Sequence, residues 1–303
     1  MQKNAVTIVG SINYDIILKQ KRLPEIGETF SAESVTFCGG GKGANQAVQC
    51  AKLGLESYIV GKIGNDHFGT ELLANMEKYG LNIDYVSQAD TNTGLGVVNT
   101  ISDGKLVATI AKGANYRLTF EDIDNAHSLF EKSKIVILQL EIPKQVVEYT
   151  IKKAKETNCY VILNAAPASE LDVEYLKMVD CLVVNETEAS FYAGERVSTV
   201  EEAEKVCKKL FLYPNHLLII TLGEKGSILF DGTKTIHIPC RTVDVVETTG
   251  AGDSYIGALT YGLINDLSLE KLGELATIVS SRTVTKIGAQ DAMPTLFELN
   301  EYV

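Results

Sequence analysis

The sequence predicts an α/β protein with three layers, in which helices cover both faces of a central, mostly parallel sheet. Short apolar runs without polar alternation recur at 135–140, 161–163, 181–184 and 217–220. Strands that are apolar on both faces belong in a parallel sheet that is covered on two sides. Helical patterns lie between these runs with short connections, and this alternation predicts a doubly wound architecture.

The predicted helices carry their apolar residues at the spacing of one helix face. Asp66 is placed to cap one of them. A chain of 303 residues can bury a large core, so we expect a single domain over 1–303 with an appendage. The helical patterns lie at 44–51, 68–76, 146–154 and 203–211.

Two segments interrupt the alternation of buried strands and helices. Residues 12–37 contain an apolar run, a turn at Pro24 and a second run of mixed polarity. Residues 93–111 predict a hairpin around a turn at Asp103 and Gly104. We expect half-exposed strands here, forming a small β appendage that acts as a lid or as a contact between subunits, because exposed strand edges tend to be covered.

Composition and charge exclude several classes of protein. The net charge is −11 and no long run of Lys or Arg occurs, so a nucleic acid is not expected as a partner. No window approaches 18 apolar residues, and the first run, at 5–10, predicts a strand rather than a membrane span or a signal segment. The six cysteines contain no C-x-x-C pair, which predicts free thiols and a cytoplasmic location.

The strongest local motif, at 247–254, joins a loop of small residues to a helix. Backbone N–H groups of Gly250, Ala251 and Gly252 would lie at the helix start, where the partial positive charge favours an anion. Asp253 lies in the first helical turn, where a carboxylate can accept a proton from a substrate hydroxyl. An ordinary acidic residue at a helix start is equally compatible with this segment alone.

Other nucleotide-binding and catalytic motifs fail when their spacing is checked. The glycine-rich run at 39–46 is not a G-x-x-x-x-G-K-[ST] loop, because Gly43 follows Lys42 and Thr36 occupies the first glycine position. A dinucleotide fingerprint fails because Tyr255 replaces its third glycine. The four histidines lack ligand spacing and no G-x-S-x-G elbow occurs, which disfavours a zinc site and hydrolase chemistry.

Polar residues recur at the ends of the predicted strands. Ligands of open α/β sheets bind beyond the carboxyl ends of the strands. Each residue alone is more simply a cap or turn residue, but their recurrence at strand after strand predicts a binding site. They are Asn13, Asp15, Asn45, Glu141, Asn185, Glu188, Thr221 and Gly223.

Seven segments, in the same order along nearly the whole chain, resemble the ribokinase family of carbohydrate kinases. The two glycine-rich segments together are highly specific for that family. The resemblance implies a three-layer α/β/α core and a small β-sheet lid that also joins two subunits into a homodimer. The segments lie at 10–15, 40–48, 113–115, 138–141, 185–188, 221–223 and 249–253.

The resemblance implies ATP-dependent phosphorylation of a sugar hydroxyl, with D-ribose to D-ribose 5-phosphate as the first hypothesis. Asp253 would be the general base, and the amides of Gly250, Ala251 and Gly252 would form the anion hole. Phosphoryl transfer needs positioning and charge stabilisation more than covalent help, which agrees with these roles. Another sugar or a nucleoside as acceptor, and a non-catalytic sugar-binding regulator, are the alternatives.

The resemblance also assigns residues to the two substrates. Small-molecule sugar and ATP are therefore the expected partners. The sugar would be bound by Asn13, Asp15, Gly41, Lys42, Asn45, Glu141 and Asp253. ATP would be bound by Asn185, Thr221, Gly223, Gly226 and Gly252.

Two cations are implied, Mg²⁺ with ATP and a monovalent cation such as K⁺. Glu188 would handle Mg²⁺ through water. Members of the family usually carry Asp at the position of Glu247, and Ala292 replaces a frequent Ser nearby. A longer carboxylate could bind the cation, displace it or reshape the loop, so the sequence leaves K⁺ activation open. The residues assigned to the monovalent cation are Glu247, Thr249, Thr283, Lys286 and Gly288.

Overall fold

The computed structural model describes residues 3–101, 106–211 and 216–299, which form two β-sheets and the helices packed against them. The strands, numbered along the chain, are β1 (Ala5–Val9), β2 (Asn13–Gln20), β3 (Ser34–Gly40), β4 (Ser57–Gly64), β5 (Asn82–Ala89), β6 (Gly94–Ile101), β7 (Leu106–Ala111), β8 (Ser133–Leu138), β9 (Tyr160–Asn164), β10 (Cys181–Asn185), β11 (Leu217–Thr221), β12 (Ser227–Phe230) and β13 (Thr235–Ile238).

The larger sheet contains nine of these strands in the order β13-β12-β11-β10-β9-β8-β1-β4-β5. Its pairs are parallel except at one edge, where β12 runs antiparallel to β11 and β13. From β1 the chain first builds outward through β4 and β5, and then returns to build the other side from β8. Ligands of open α/β sheets bind where the strand order reverses in this way, here beyond the carboxyl ends of β1 and β8.

Helices cover both faces of the larger sheet, as the continuous apolar runs predicted. Neighbouring residues of one strand point to opposite faces, so Ile8 packs into one core and Val9 into the other. The three-layer α/β/α architecture is therefore confirmed. The helices are α1 (Lys42–Lys52), α2 (His67–Lys78), α9 (Ala251–Ile264) and α10 (Leu269–Thr283) on one face, and α3 (Phe120–Asn125), α4 (His127–Lys132), α5 (Lys144–Glu156), α6 (Val173–Leu176), α7 (Glu186–Ala193) and α8 (Val200–Leu210) on the other.

Shorter elements connect these layers. The helix α11 (Ala289–Ala292) lies between α10 and the last described residues, and 3₁₀ turns cover Gly113–Arg117, Gly223–Lys225 and Phe297–Leu299. The predicted cap is present, because the Asp66 side chain accepts a hydrogen bond from the backbone of Gly69 at 2.8 Å.

The smaller sheet has the strand order β3-β2-β6-β7 and stands apart from the larger one. The interior strand β2 pairs with β3 in antiparallel fashion and with β6 in parallel fashion. The prediction that all these strands are half exposed is wrong for the interior strand β2, which is mostly buried. The predicted turn at Asp103 and Gly104 lies outside the described residues.

The strand β3 is shorter than the mixed-polarity run that predicted it. It begins at Ser34, and residues 28–33 lie in the preceding loop. Glu28 instead fastens this loop by an ion pair with Arg22 at 2.6 Å and by accepting a hydrogen bond from the backbone of Glu25.

The six cysteines are all free thiols, four of them buried, as their scattered positions predicted. Within 3–101, 106–211 and 216–299, no helix is both long enough and apolar enough to cross a membrane.

Candidate active site

The helix α9 begins at the switch point of the sheet and carries Asp253 in its first turn. Gly250 is the N-cap, with a φ of +79°. The N–H groups of a first helical turn have no partner inside the helix, so this end favours an anion. Of the three amides assigned to the anion hole, that of Ala251 also donates to the carbonyl oxygen of Thr248 at 3.2 Å.

The Asp253 carboxylate is buried, and side chains of α1 donate to both of its oxygens. Asn45 Nδ2 donates to Oδ2 at 2.9 Å, and Gln46 Nε2 donates to Oδ1 at 2.9 Å. The two donors are consecutive residues, and both reach Asp253 because α1 and α9 pack against each other on the same face of the sheet. The predicted sugar-binding residue Asn45 and the predicted base are therefore in direct contact.

The charges around Asp253 oppose one another. Burial raises the pKa of Asp253, whereas the Lys42 ammonium and the donated hydrogen bonds act to lower it. Burial also acts to lower the pKa of Lys42, but attraction to Asp253, Glu141 and two further carboxylates outweighs it and leaves that pKa raised. Lys42 therefore remains an ammonium group that balances the acidic site.

The remaining predicted sugar-binding residues surround the same position. The Asn13 side chain is held by Asn115, whose Nδ2 donates to Asn13 Oδ1 at 2.7 Å. Glu141 follows β8 and accepts hydrogen bonds from Ser11 Oγ at 2.5 Å and from the backbone of Lys42 at 3.3 Å. Amides and carboxylates in this arrangement can both donate to and accept from the hydroxyls of a sugar.

Asp15, on the interior strand of the smaller sheet, is buried between two glycines. A Cβ atom on Gly40 would lie 2.0 Å from Asp15 Oδ2, and one on Gly96 would lie 2.2 Å from Oδ1. Asp15 Oδ1 has no partner among the described residues. Burial, together with the neighbouring Glu141 and Asp253 carboxylates, raises the pKa of Asp15 to about 7.

A cleft of about 930 Å³ opens on the other side of the α9 N-terminus. It follows the carboxyl ends of β10 and β11 and continues along α10. All five residues assigned to ATP line it, together with residues such as Thr248, Tyr255 and Thr277 that sequence reasoning did not assign to ATP. The five are Asn185, Thr221, Gly223, Gly226 and Gly252.

Asn185 and Glu188, which the sequence assigned to ATP and Mg²⁺, also have a structural role. The Asn185 side chain accepts from the backbone N–H groups of Thr187 and Glu188, and Glu188 Oε2 accepts from the backbone of Asn185 at 2.7 Å. This reciprocal pair is a capping box at the start of α7. Burial raises the pKa of Glu188, against the lowering effect of the Asn185 N–H and the Lys42 charge.

The residues assigned to a monovalent cation are only partly brought together. Glu247 Oε2 accepts from the backbone of Gly288 at 2.9 Å, whereas its Oε1 is buried and has no partner among the described residues. The Thr283 hydroxyl donates to the carbonyl oxygen of Val279 instead, and Lys286 forms an ion pair with Glu298. Side chains of Thr283 and Lys286 are therefore committed elsewhere, which leaves Glu247 as the charged group of this set.

Sequence reasoning gave no role to several buried polar residues near the base. Gln46 lies inside the glycine-rich segment, and Gln139 lies directly before Leu140 and Glu141, so the segments themselves were found. A glutamine carries no charge and is mostly found on protein surfaces, so neither residue stood out. In the described ranges, no group of three or more His, Cys, Asp or Glu side chains is arranged to hold a metal ion.

Comparison with known proteins places the chain in a family. Residues 3–296 match the pfkB family of carbohydrate kinases. The chain is 36% identical to the ribokinase of Bacillus subtilis over 297 residues and 33% identical to the deoxyribokinase of Salmonella typhi over 300, with 98% of both chains covered in each case. A solved Arabidopsis thaliana ribokinase, complexed with ribose and ATP, superposes with a TM-score of 0.89 at 32% identity, covering 100% of this chain and 99% of that one. The chain therefore belongs to the pfkB family of carbohydrate kinases and is an ATP-dependent kinase similar to ribokinases.

Proposed function

We propose that this enzyme transfers the γ-phosphate of ATP to the 5-hydroxyl of D-ribose and releases ADP and D-ribose 5-phosphate. The observation that carries the proposal is the position of Asp253. It lies in the first turn of α9, with the polar side chains around Asn45 on one side and the 930 Å³ cleft on the other. Its carboxylate is the group best placed to accept the proton of a sugar hydroxyl.

In this mechanism the sugar oxygen attacks the γ-phosphorus as the bond to the β-phosphate oxygen breaks. The proton of the sugar hydroxyl passes to Asp253, and ADP carries the departing charge. The amides at the start of α9 stabilise the transferring phosphoryl group, with Gly250 and Gly252 as the donors, and Lys42 adds a positive charge near the sugar side. Asn13, Asp15 and Glu141 orient the remaining hydroxyls.

A divalent cation, Mg²⁺ in our proposal, accompanies the nucleotide. It would neutralise charge on the phosphates. Glu188 fits the role of binding Mg²⁺ through water, because it is a buried carboxyl group whose pKa is raised by burial. A nearby divalent cation would stabilise its ionised form. Since no group of three or more His, Cys, Asp or Glu side chains in the described residues is arranged to hold a metal ion, the phosphates themselves would supply other ligands.

A monovalent cation fits beside Glu247. Its Oε1 is a buried carboxylate oxygen without a partner in the described part of the chain, and such an atom is costly unless a cation or a proton meets it. We propose that K⁺ is held there by Glu247, with backbone oxygens of the surrounding loops. The test compares turnover in K⁺, Na⁺ and a bulky organic cation; equal rates in all three would reject this site.

The proposed function is tested by coupled ADP release with Mg·ATP and a panel of pentoses, hexoses and nucleosides. D-ribose is expected to stimulate ADP release most strongly. Folded protein that shows no sugar-stimulated release would contradict the proposal. 2-Deoxy-D-ribose belongs in the panel as a second candidate, because the deoxyribokinase relative matches the whole chain at 33% identity.

We also propose that the smaller sheet joins two subunits. Its outer strands β3 and β7 expose Val35, Phe37, Val107 and Ile110. Light scattering after size exclusion should give the mass of a dimer, and Phe37→Asp should give a monomer. Phe297→Asp, at an exposed phenylalanine that is not part of this sheet, is the control and should remain dimeric. A monomeric wild type would reject the interface.

A further inference from the structure

Of the two side chains that donate to Asp253 in the described part of the chain, Gln46 is the one with no part in the proposed sugar binding. It lies in α1, its side chain is fully buried, and all polar atoms of its amide have partners. Its Nε2 donates to Asp253 Oδ1 at 2.9 Å and to Asn164 Oδ1 at 3.2 Å. Its Oε1 accepts from Gln139 Nε2 at 2.7 Å.

The direction of this amide is fixed by its hydrogen-bond partners, the Asp253 carboxylate at one end and the Gln139 amide at the other. An ionised carboxylate only accepts hydrogen bonds, so the NH₂ group of Gln46 must face Asp253. Its oxygen must then point the opposite way, where only a donor can satisfy it, and Gln139 supplies that donor. A rotated Gln46 amide would place its oxygen against the carboxylate, and buried polar atoms in such contacts are costly.

We propose that Gln46, held in one orientation by Gln139, is a positioning residue that fixes the Asp253 carboxylate as the acceptor of the sugar proton. The inference rests on the proposed kinase function of Asp253. The hydrogen bond from Gln46 leaves a second lone pair on Asp253 Oδ1 that can accept a proton. It also prevents rotation of the carboxylate about the Cβ–Cγ bond of Asp253. Asn45 acts on the other oxygen and is itself held by Gln290, whose Nε2 donates to Asn45 Oδ1 at 3.0 Å.

The electrostatic consequence of removing Gln46 has a definite sign. Burial raises the pKa of Asp253, and Glu141 adds to that, while Lys42 and the amides of Asn45 and Gln46 oppose it. Asp15 is a further carboxylate coupled to this group. Replacing Gln46 by Glu removes a donor and adds an acidic neighbour, and both changes raise the pKa of Asp253 further. The base would then be protonated, and inactive, up to a higher pH.

The test is the pH dependence of kcat for Gln46→Glu with D-ribose and Mg·ATP. We expect kcat at neutral pH to fall about 10- to 100-fold, and the acid limb of the profile to move up by about one pH unit or more. The KM for D-ribose should change little, because Gln46 does not contact the sugar in this proposal. An acid limb that coincides with that of the wild type would overturn the inference.

Gln49→Glu is the matched control. Gln49 lies one turn further along α1, is also fully buried, and donates to the carbonyl oxygen of Pro294 at 3.0 Å rather than to Asp253. It adds a buried carboxylate to the same helix but removes no donor to Asp253, so it should lower stability and move the acid limb much less than Gln46→Glu does. A similar shift in Gln49→Glu would show that general damage, not positioning, causes the effect, and would also reject the inference.

Because a buried glutamate can prevent folding, Gln46→Met and Gln139→Met give a second test. Gln46→Met keeps the volume and removes the donor, so the acid limb should shift in the same direction by a smaller amount. Gln139 acts only through Gln46 in this scheme, so the double variant should be no slower than Gln46→Met alone. Additive losses would contradict the scheme.

Failure of the kinase function and failure of the positioning role of Gln46 give different results. A folded wild type without sugar-stimulated ADP release would reject the proposed function itself. An active wild type whose Gln46 variants keep the normal acid limb would reject only the positioning role.

Discussion

The sugar side and the nucleotide side of the active site are built in different ways. On the sugar side, buried side chains such as Asp253 and Asn45 contact one another directly through hydrogen bonds. The nucleotide side is an open cleft whose assigned residues are largely glycines and strand-end residues, including Thr221 and Gly223. The sugar side therefore depends on single side chains, and the nucleotide side depends more on the shape of the backbone. Substitutions should cost more on the sugar side.

The largest effect is expected from Asp253→Asn, which removes the proposed base and keeps its shape. We expect kcat to fall about 10²- to 10⁴-fold. Ribose binding, measured by calorimetry, should persist because the surrounding side chains remain. Asp180→Asn is the control, since Asp180 is buried but pairs with Lys155 at 2.7 Å, away from the site. Asp180→Asn should lower stability and leave kcat unchanged. Near-normal turnover in Asp253→Asn would contradict the role of Asp253 as the base on the sugar side.

The second prediction concerns the space around Asp15. In Gly96→Ala, the new Cβ would lie 2.2 Å from Asp15 Oδ1, and the end of the Asp15 side chain must move. We expect the KM for D-ribose to rise about 10- to 100-fold, with little change in the KM for ATP.

Gly80→Ala is a control for Gly96→Ala because the added Cβ meets no atom within 4 Å there. It should cost some stability through its positive φ and leave both KM values unchanged. An equal rise in both KM values for Gly96→Ala would show that the sugar side and the nucleotide side do not bind their substrates independently.

The third prediction follows from the raised pKa of Asp15, about 7. A protonated carboxyl loses acceptor capacity, so the KM for D-ribose should rise as the pH falls through 7, by up to about tenfold per pH unit. The KM for ATP should not follow it. The pH dependence should vanish in Asp15→Asn, whose side chain does not titrate; persistence in that variant would assign the titration to another group.

Much of the fold could be predicted because strands that are buried on both faces are continuous apolar runs in the sequence. Strands such as β10 and β11 appeared within a residue or two of their observed ends. The antiparallel edge formed by β12 and β13 was not predicted, because these strands have four residues each and too little pattern to separate them from loops. Lengths of strands in the smaller sheet were also uncertain, since polar residues such as Glu28 suit a loop and a strand edge alike.

The site could be predicted only where a motif is local. The loop around Gly250 and Asp253 and the segment around Asn45 are continuous in sequence, and both were found. Gln290, by contrast, is 245 residues from the Asn45 side chain that it holds. Its contact is created by packing of α11 against α1 and has no signature along the chain. Residues that orient others are therefore harder to predict than residues that contact a ligand.

The smallest effect is expected from Thr221→Val, on the nucleotide side. Thr221 ends β11 at the rim of the cleft, and among the described residues its hydroxyl makes only a long hydrogen bond, 3.4 Å, to the carbonyl oxygen of Val184. Valine keeps the branched shape and removes the hydroxyl. The KM for ATP should rise less than about tenfold, with kcat and the KM for D-ribose unchanged.

Thr150→Val makes the same change in α5, where the hydroxyl donates to Val146 at 2.7 Å, and should alter only stability. The outcome of Thr221→Val decides how far the contrast between the two sides extends. A small rise in the KM for ATP means that backbone shape carries most of the nucleotide binding. A loss of kcat approaching that of Asp253→Asn would mean that a single hydroxyl on the nucleotide side matters as much as the buried network on the sugar side.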